Sequence, residues 1–435
     1  MNRPTFSSQW ATVLTMTGMA VGLGNVWRFP YMMGQYGGGA FLLMYLVLML
    51  IFAVPALCAE WGLGRVTGKG PIGALSQAFG KTPGTIIGTL LLCSLLVTVS
   101  YYALVIGNVA YSTWFAFAQG FSEQSLDNYR DGLANHRTQW GFGLLVIVIS
   151  LLVVSRGLRR GVEAANMVLV PAFGVAALYT IFTVFTLDGA APRLLEFLRF
   201  DFGRLSPEVA FAALGQTCFS VGLSGTIGVV LGSYMRQSQS LLGTAITTSA
   251  LDVMAALMAS LFIVPVVLLY GIDMTVGPGL LFETMPTLFS LIPGGRVLAG
   301  VFLTSWVSVA LLTVVATLTA LQTGFSELGP LKRHQRWLGL GCAGVMALIV
   351  TPIAFNPHWI GTLDTIFGSA MFMVGALIVV AAMGWGLGRA ATQSQVDPEN
   401  KMPFVVFWIR WVVPPTVALV LLGFIYTTLN SGGHG

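Results

Sequence analysis

Apolar residues in this chain come neither in strict alternation nor in one-sided helical stripes. They come in long blocks, such as Phe41–Leu57, Leu144–Val154 with its flanks and Val297–Leu321, set apart by short polar stretches. A helix needs about 20 apolar residues to cross a bilayer core. Eleven segments meet that length: 9–32, 38–63, 85–119, 139–155, 162–186, 206–233, 241–271, 296–325, 337–355, 359–386 and 404–428. Several are longer than the bilayer requires, which implies tilt or protrusion. The pattern predicts an all-α polytopic membrane protein.

Composition sharpens this. Of 435 residues, 56% are hydrophobic and 9% charged, against about 25% charged in a soluble domain. The net charge of +5 is scattered between apolar runs rather than gathered in the basic stripe that nucleic acid requires. Cys58, Cys93, Cys218 and Cys342 lie singly inside apolar segments, which argues against disulfides or a zinc site. His136, His334, His358 and His434 lie in connections or the tail. No cleavable leader is expected before the first span, and no nucleophile–base constellation suggests an enzyme.

Loop charge gives orientation. With the N-terminus inside, Arg3, Arg65, Lys69, Lys81, Arg156, Arg159, Arg160, Arg236, Lys332, Arg333, Arg336, Arg389 and Lys401 fall on the cytoplasmic side. Arg28, Arg130, Arg137, Arg193, Arg199, Arg204 and Arg296 fall on the other. An inner (plasma) membrane protein with its N-terminus cytoplasmic and its C-terminus outside follows, and loops 122–138, 187–205 and 272–295 become external.

An internal echo carries more information. Val21-Gly22-Leu23 in span one recurs as Val221-Gly222-Leu223 in span six, at the start of each five-span half. Glycine-interrupted apolar helices in matching positions of two halves point to a transporter's substrate site, although glycine alone also serves close helix packing. An unwound stretch exposes backbone groups that hydrocarbon penalises by several kcal/mol each. Half-helix N-termini then suit a carboxylate, and free carbonyls suit cations and an ammonium group.

The run Gly18-Met19-Ala20-Val21-Gly22-Leu23-Gly24-Asn25-Val26-Trp27-Arg28-Phe29-Pro30, followed by Gly37-Gly38-Gly39-Ala40-Phe41, closely resembles the neurotransmitter:sodium symporter family, nearest its bacterial amino-acid transporters. Glu60-Trp61, Tyr101-Tyr102, Gly161 with Pro171, Gly215-Gln216, Phe219-Ser220 and Gly277-Pro278-Gly279-Leu280 support it in order and spacing. The resemblance implies a five-plus-five inverted repeat with broken helices 1 and 6 and alternating access. The halves would be 1–186 and 206–386, with 404–428 as an eleventh span.

Carried over residue by residue, the resemblance implies a first sodium site of Ala20, Asn25, Ser220 and Asp252, and a second of Gly18, Val21, Ala310 and Thr313. The substrate carboxylate would meet the N–H groups of Leu23 and Gly24 and the Tyr102 hydroxyl; carbonyls of Ala20, Phe219 and Ser220 would face its amine. Gly22 stands where monoamine carriers have Asp, so the substrate should bring its own carboxylate. Thr98, Tyr102, Phe219, Gly222, Gly225, Val314, Val315 and Leu318 would line the side-chain pocket, and Gly225 in place of a bulky residue leaves room for an aromatic substrate. Val314 stands where the family's second site has a Ser hydroxyl, which predicts a weakened site and, if it is lost, coupling to one sodium instead of two.

Ionisable groups within spans are functional candidates because their burial is costly. Glu60 is expected to support the break in span six. Arg28, Asp364 and Phe219 resemble the outer gate; two snorkelling charges are the plainer reading of the first pair. At the inner gate, Arg3 aligns with the family's Arg, but Phe6 replaces Trp and Leu328 replaces Asp, so Glu327 is the expected partner. Gly161 and Pro171 would let span five unwind, or serve as ordinary helix-start and kink residues. Asp252 lies one turn before Ala256, the position at which chloride-independent relatives often place a carboxylate, so chloride is not expected to be needed. The other reading of Asp252 is a protonated acid that hydrogen-bonds as Asn would. These readings point to a sodium-coupled importer of medium-to-large apolar or aromatic amino acids. A proton-coupled or uncoupled carrier, or a non-transporting receptor of the same fold, is the alternative.

Overall fold

A computed structural model describes residues 4–272, 280–329, 335–399 and 402–431, apart from the side chains of 335, 336 and 427–431. Among these residues, nine helices are long and apolar enough to cross a membrane. They are Gly39–Thr67, Lys81–Ala118, His136–Ser155, Leu158–Phe185, Leu241–Tyr270, Gly295–Phe325, Trp337–Phe355, Trp359–Gly386 and Pro403–Tyr426. Their ends fall within a few residues of the blocks in the sequence. The other two predicted segments are interrupted.

The first runs as an α-helix from Gln9 to Ala20, opened by Ser8, whose hydroxyl accepts from the Ala11 N–H. It leaves the helix at Val21, which is extended (φ −68°, ψ 118°), and helical turns resume at Gly24. The segment predicted over 206–233 divides likewise, into Pro207–Ser220 and Ile227–Gly232. Between these pieces Gly222 and Gly225 adopt φ +64° and +72°, a left-handed conformation that only glycine takes without strain.

Close packing fixes where the pieces lie. The half-helix Ile227–Gly232 lies against helix Gly39–Thr67 with almost no side chains between them. A Cβ on Gly64 would come 1.9 Å from the Val229 carbonyl oxygen, and one on Gly232 would come 2.3 Å from that of Trp61. Small residues permit such backbone approach between membrane helices. Helix Gly295–Phe325 packs along Lys81–Ala118, and the first half-helix lies among Leu158–Phe185, Leu241–Tyr270 and Gly295–Phe325. Both interruptions therefore fall inside the bundle.

The stretches predicted as loops also contain helices: Leu126–Ala134, Ala190–Phe197 and Leu280–Leu291. They are too short to span a bilayer, so a search for long apolar blocks passes over them. The last one is part of the core. Phe289 packs its ring on Phe121, Phe262 and Phe302.

Candidate functional site

At the first interruption the backbone N–H groups turn away from the carbonyls that a continuous helix would offer them. Gly22 N–H donates to the Asn25 side-chain oxygen at 3.0 Å, and Leu23 N–H donates to the Tyr102 hydroxyl at 3.1 Å. In a helix those two donors would serve the carbonyls of Gly18 and Met19. These carbonyls instead face Thr313, whose hydroxyl lies 3.5 Å from the Gly18 oxygen and 3.4 Å from those of Met19 and Val21. Thus Gly18, Val21 and Thr313 meet, together with Met19, which the sequence reading missed. Ala310 is fully buried in the same helix as Thr313.

A second polar cluster joins four helical segments. Asp252 is fully buried. Its Oδ2 accepts from the Ser220 hydroxyl at 2.6 Å and its Oδ1 from the Asn25 amide at 2.9 Å. The Tyr45 hydroxyl donates to Ser220 at 3.2 Å. The side chains of Asn25, Ser220 and Asp252 are thereby brought together, with Tyr45 as an outer partner. Ala256 is also fully buried, one turn further along the Asp252 helix.

Between the clusters lies a cavity of about 90 Å³. Of the expected residues it is lined by Ala20, Gly22, Gly24, Asn25, Thr98, Tyr102, Phe219, Ser220, Gly222, Thr313 and Asp364. Leu23 stands behind it, tied to Tyr102. Four expected wall residues are elsewhere. Val314 and Leu318 are fully buried outside the lining; Thr313 and Thr317, each one residue earlier on the helix, take their place. Val315 is likewise absent from the lining. Gly225 faces away, and a Cβ there would lie 2.5 Å from the Gly375 carbonyl oxygen. Its missing side chain makes room for a neighbouring helix rather than for a substrate. Gly222 is the open position, with nothing within 4 Å of where its Cβ would be.

Leu95, Val99, Ile227 and Phe372 also line the cavity and make it largely apolar. Leu95 and Val99 were legible in principle: with Thr98 and Tyr102 they complete one face of a helix at the spacing i, i+3, i+4, i+7.

The gate residues divide. The Arg28 guanidinium lies 4.3 Å from the centre of the Phe219 ring, a cation–π contact. Asp364 accepts from the Tyr101 hydroxyl at 3.0 Å. Among the described residues the ion pairs within 4 Å are Arg130–Asp127 and Arg204–Asp201, so Arg28 and Asp364 do not touch directly. At the other end, Glu327 accepts from the N–H groups of Gly70 at 2.5 Å and Gly73 at 2.9 Å, at the start of helix Pro71–Phe79. Arg3, its expected partner, lies outside the described residues, as do Gly277, Pro278 and Gly279. Phe6 is fully buried and meets Tyr234 edge-on at 6.1 Å. Glu60, also buried, faces the N–H groups of Ser224, Gly225, Thr226 and Gly228 at the start of the second half-helix.

Comparison with known proteins gives the family of the chain and its fold. The profile of the Sodium:neurotransmitter symporter family matches residues 3–130 and 121–432. The chain belongs to that family. A protein of Haemophilus influenzae named as an uncharacterized sodium-dependent transporter is 26% identical over 449 residues, covering 96% of this chain and 97% of its own. The sodium-dependent transporter YhdH of Bacillus subtilis, also uncharacterized, is 24% identical over 439 residues, covering 96% and 97%. Among solved structures, MhsT in complex with L-phenylalanine superposes with a TM-score of 0.86 at 24% identity, covering 97% of this chain and 99% of that one. The fold is that of a membrane transporter, and the chain is not an enzyme.

Proposed function

We propose that this protein is a sodium-coupled symporter that imports apolar amino acids of medium to large size across the plasma membrane. The observation that carries the reading is the meeting of both helix interruptions at one cavity, with oxygen atoms on two sides and apolar walls between. A zwitterion fits the backbone chemistry. Its carboxylate would lie near Leu23, Gly24 and the Tyr102 hydroxyl, and its ammonium near the carbonyls of Ala20, Phe219 and Ser220. The lining has no lysine or arginine and a single carboxylate, Asp364, on the gate side, which disfavours charged substrate side chains. Gly222 leaves space for an aromatic one.

Sodium, as co-substrate, would take the first cluster through Ala20, Asn25, Ser220 and Asp252, and the second through Gly18, Val21, Thr313 and Ala310. The names of the bacterial relatives support the choice of ion. Alternating access would proceed by motion between the halves 1–186 and 206–386, with the N-terminus cytoplasmic and the C-terminus outside. Phe219 and Arg28 would close above the substrate, and Glu60 would brace the broken sixth segment.

The test is uptake of labelled phenylalanine and leucine into proteoliposomes under an inward sodium gradient, with potassium and a proton gradient as comparisons. Uptake driven by sodium and competed by apolar amino acids is expected. Equal uptake without sodium, or a preference for glycine or charged amino acids, would sink the reading.

A further inference from the structure

The oxygen cluster around Thr313 draws on three carbonyls and one hydroxyl, and Val314 beside it can add nothing. Helix Leu158–Phe185 packs against the first half-helix and carries a buried amide that none of these contacts uses. Asn166 is 1% exposed. Its Nδ2 donates to the Val162 carbonyl of its own helix at 2.8 Å. That bond sets the orientation of the amide, and no donor reaches Oδ1.

The unpartnered oxygen has a definite address. A Cβ built on Gly18 would lie 1.9 Å from Asn166 Oδ1. The amide oxygen therefore fills the notch left by the missing side chain of the residue whose carbonyl belongs to the cluster. A buried acceptor without a donor is destabilising, and hard cations favour oxygen ligands, the carbonyl of an Asn amide among them. We propose that Asn166 is an additional oxygen donor to the sodium ion of this second cluster, making good the oxygen that Val314 cannot supply. The inference builds on the sodium-symporter reading above.

The test uses the full-length protein in detergent, with 22Na binding and the sodium dependence of thermal melting as readouts, choline serving as the inert cation. Asn166→Ala should raise the sodium concentration for half-effect about tenfold, equivalent to about 1.4 kcal/mol. Its melting point in choline reads the loss of the Nδ2 bond to Val162 separately from the loss of sodium response. Adding Val314→Ser to Asn166→Ala should restore the sodium response by returning an oxygen from the other side. Asn166→Asp keeps an oxygen and adds charge, so it should bind sodium more tightly than the wild type; this variant also decides the matter if Asn166→Ala does not fold.

Wild-type affinity in Asn166→Ala would overturn the proposal, as would an Asn166→Asp variant that binds sodium no better than the wild type. A wild type that ignores sodium altogether would overturn the transport reading, and this inference with it.

Discussion

At the scale of single residues, Asp252 is the buried carboxylate at the centre of the first cluster. A carboxylate deep in a membrane bundle is costly unless it is paired. Its recorded partners are the Ser220 hydroxyl and the Asn25 amide, and both are neutral. A sodium ion between these groups would supply the missing charge, which leaves no need for a separate anion. Uptake in gluconate medium should therefore equal uptake in chloride. Asp252→Asn should cripple sodium-dependent binding, with partial recovery in chloride. Collapse of wild-type uptake on chloride removal would defeat the argument.

Thr313 is the matching probe of the second cluster. Its hydroxyl lies within 3.5 Å of the carbonyl oxygens of Gly18, Met19 and Val21. If two ions are coupled, Thr313→Ala should lower the Hill coefficient for sodium from near two to near one while phenylalanine binding still responds to sodium. Asp252 was legible in the sequence because a charge in an apolar block stands out. Asn166 was not, because a neutral amide in such a block becomes informative only when its neighbours are known.

At the scale of elements, the interruption of two helices was legible from the repeated Val-Gly-Leu, since glycine and its position in each half are properties of the chain alone. Which way each glycine faces was not. Gly222 and Gly225 are three residues apart, both with positive φ, yet one opens on the cavity and the other meets the backbone of Gly375. Their substitutions should part accordingly. Gly222→Ala places a methyl group in the cavity, with some strain from the left-handed backbone, and should reduce competition by tryptophan and phenylalanine more than by alanine. Gly225→Phe would have to push two helices apart; it should abolish folded protein on size-exclusion chromatography rather than shift selectivity. A folded Gly225→Phe with a smaller-substrate profile would return Gly225 to the pocket wall. The displacement of Val314 and Leu318 by Thr313 and Thr317 has the same origin. One residue turns a helix by about 100°, and sequence pattern inside an all-apolar span does not fix that rotation.

At the scale of the whole molecule, the gate side of the cavity and the N-terminal end of the bundle are held by different chemistry. On one side the closure is a ring and a guanidinium, Arg28 over Phe219, with Asp364 held by Tyr101. On the other, the N-terminal segment is tied down by three separate contacts. Phe6 N–H donates to the Tyr234 carbonyl at 3.2 Å, Arg159 donates to the Thr5 carbonyl at 3.1 Å, and both the N–H and the hydroxyl of Ser7 donate to Glu163. Glu163 is 4% exposed, so its hydrogen bonds are shielded from water, and each contributes on the order of 1 kcal/mol. Under the proposed alternating access, in which this end opens in each cycle, such a latch sets a population rather than a permanent closure. Glu163→Ala should favour the state open at the N-terminal end without touching the cavity, by roughly tenfold for each 1.4 kcal/mol lost. A cysteine at Met16, fully buried in the first half-helix, reports the change in a background lacking exposed Cys93. Its labelling by a membrane-impermeant maleimide from that side should accelerate in Glu163→Ala, and phenylalanine with sodium should slow it again. Unchanged labelling would mean that Phe6 and Arg159 hold the segment without Glu163.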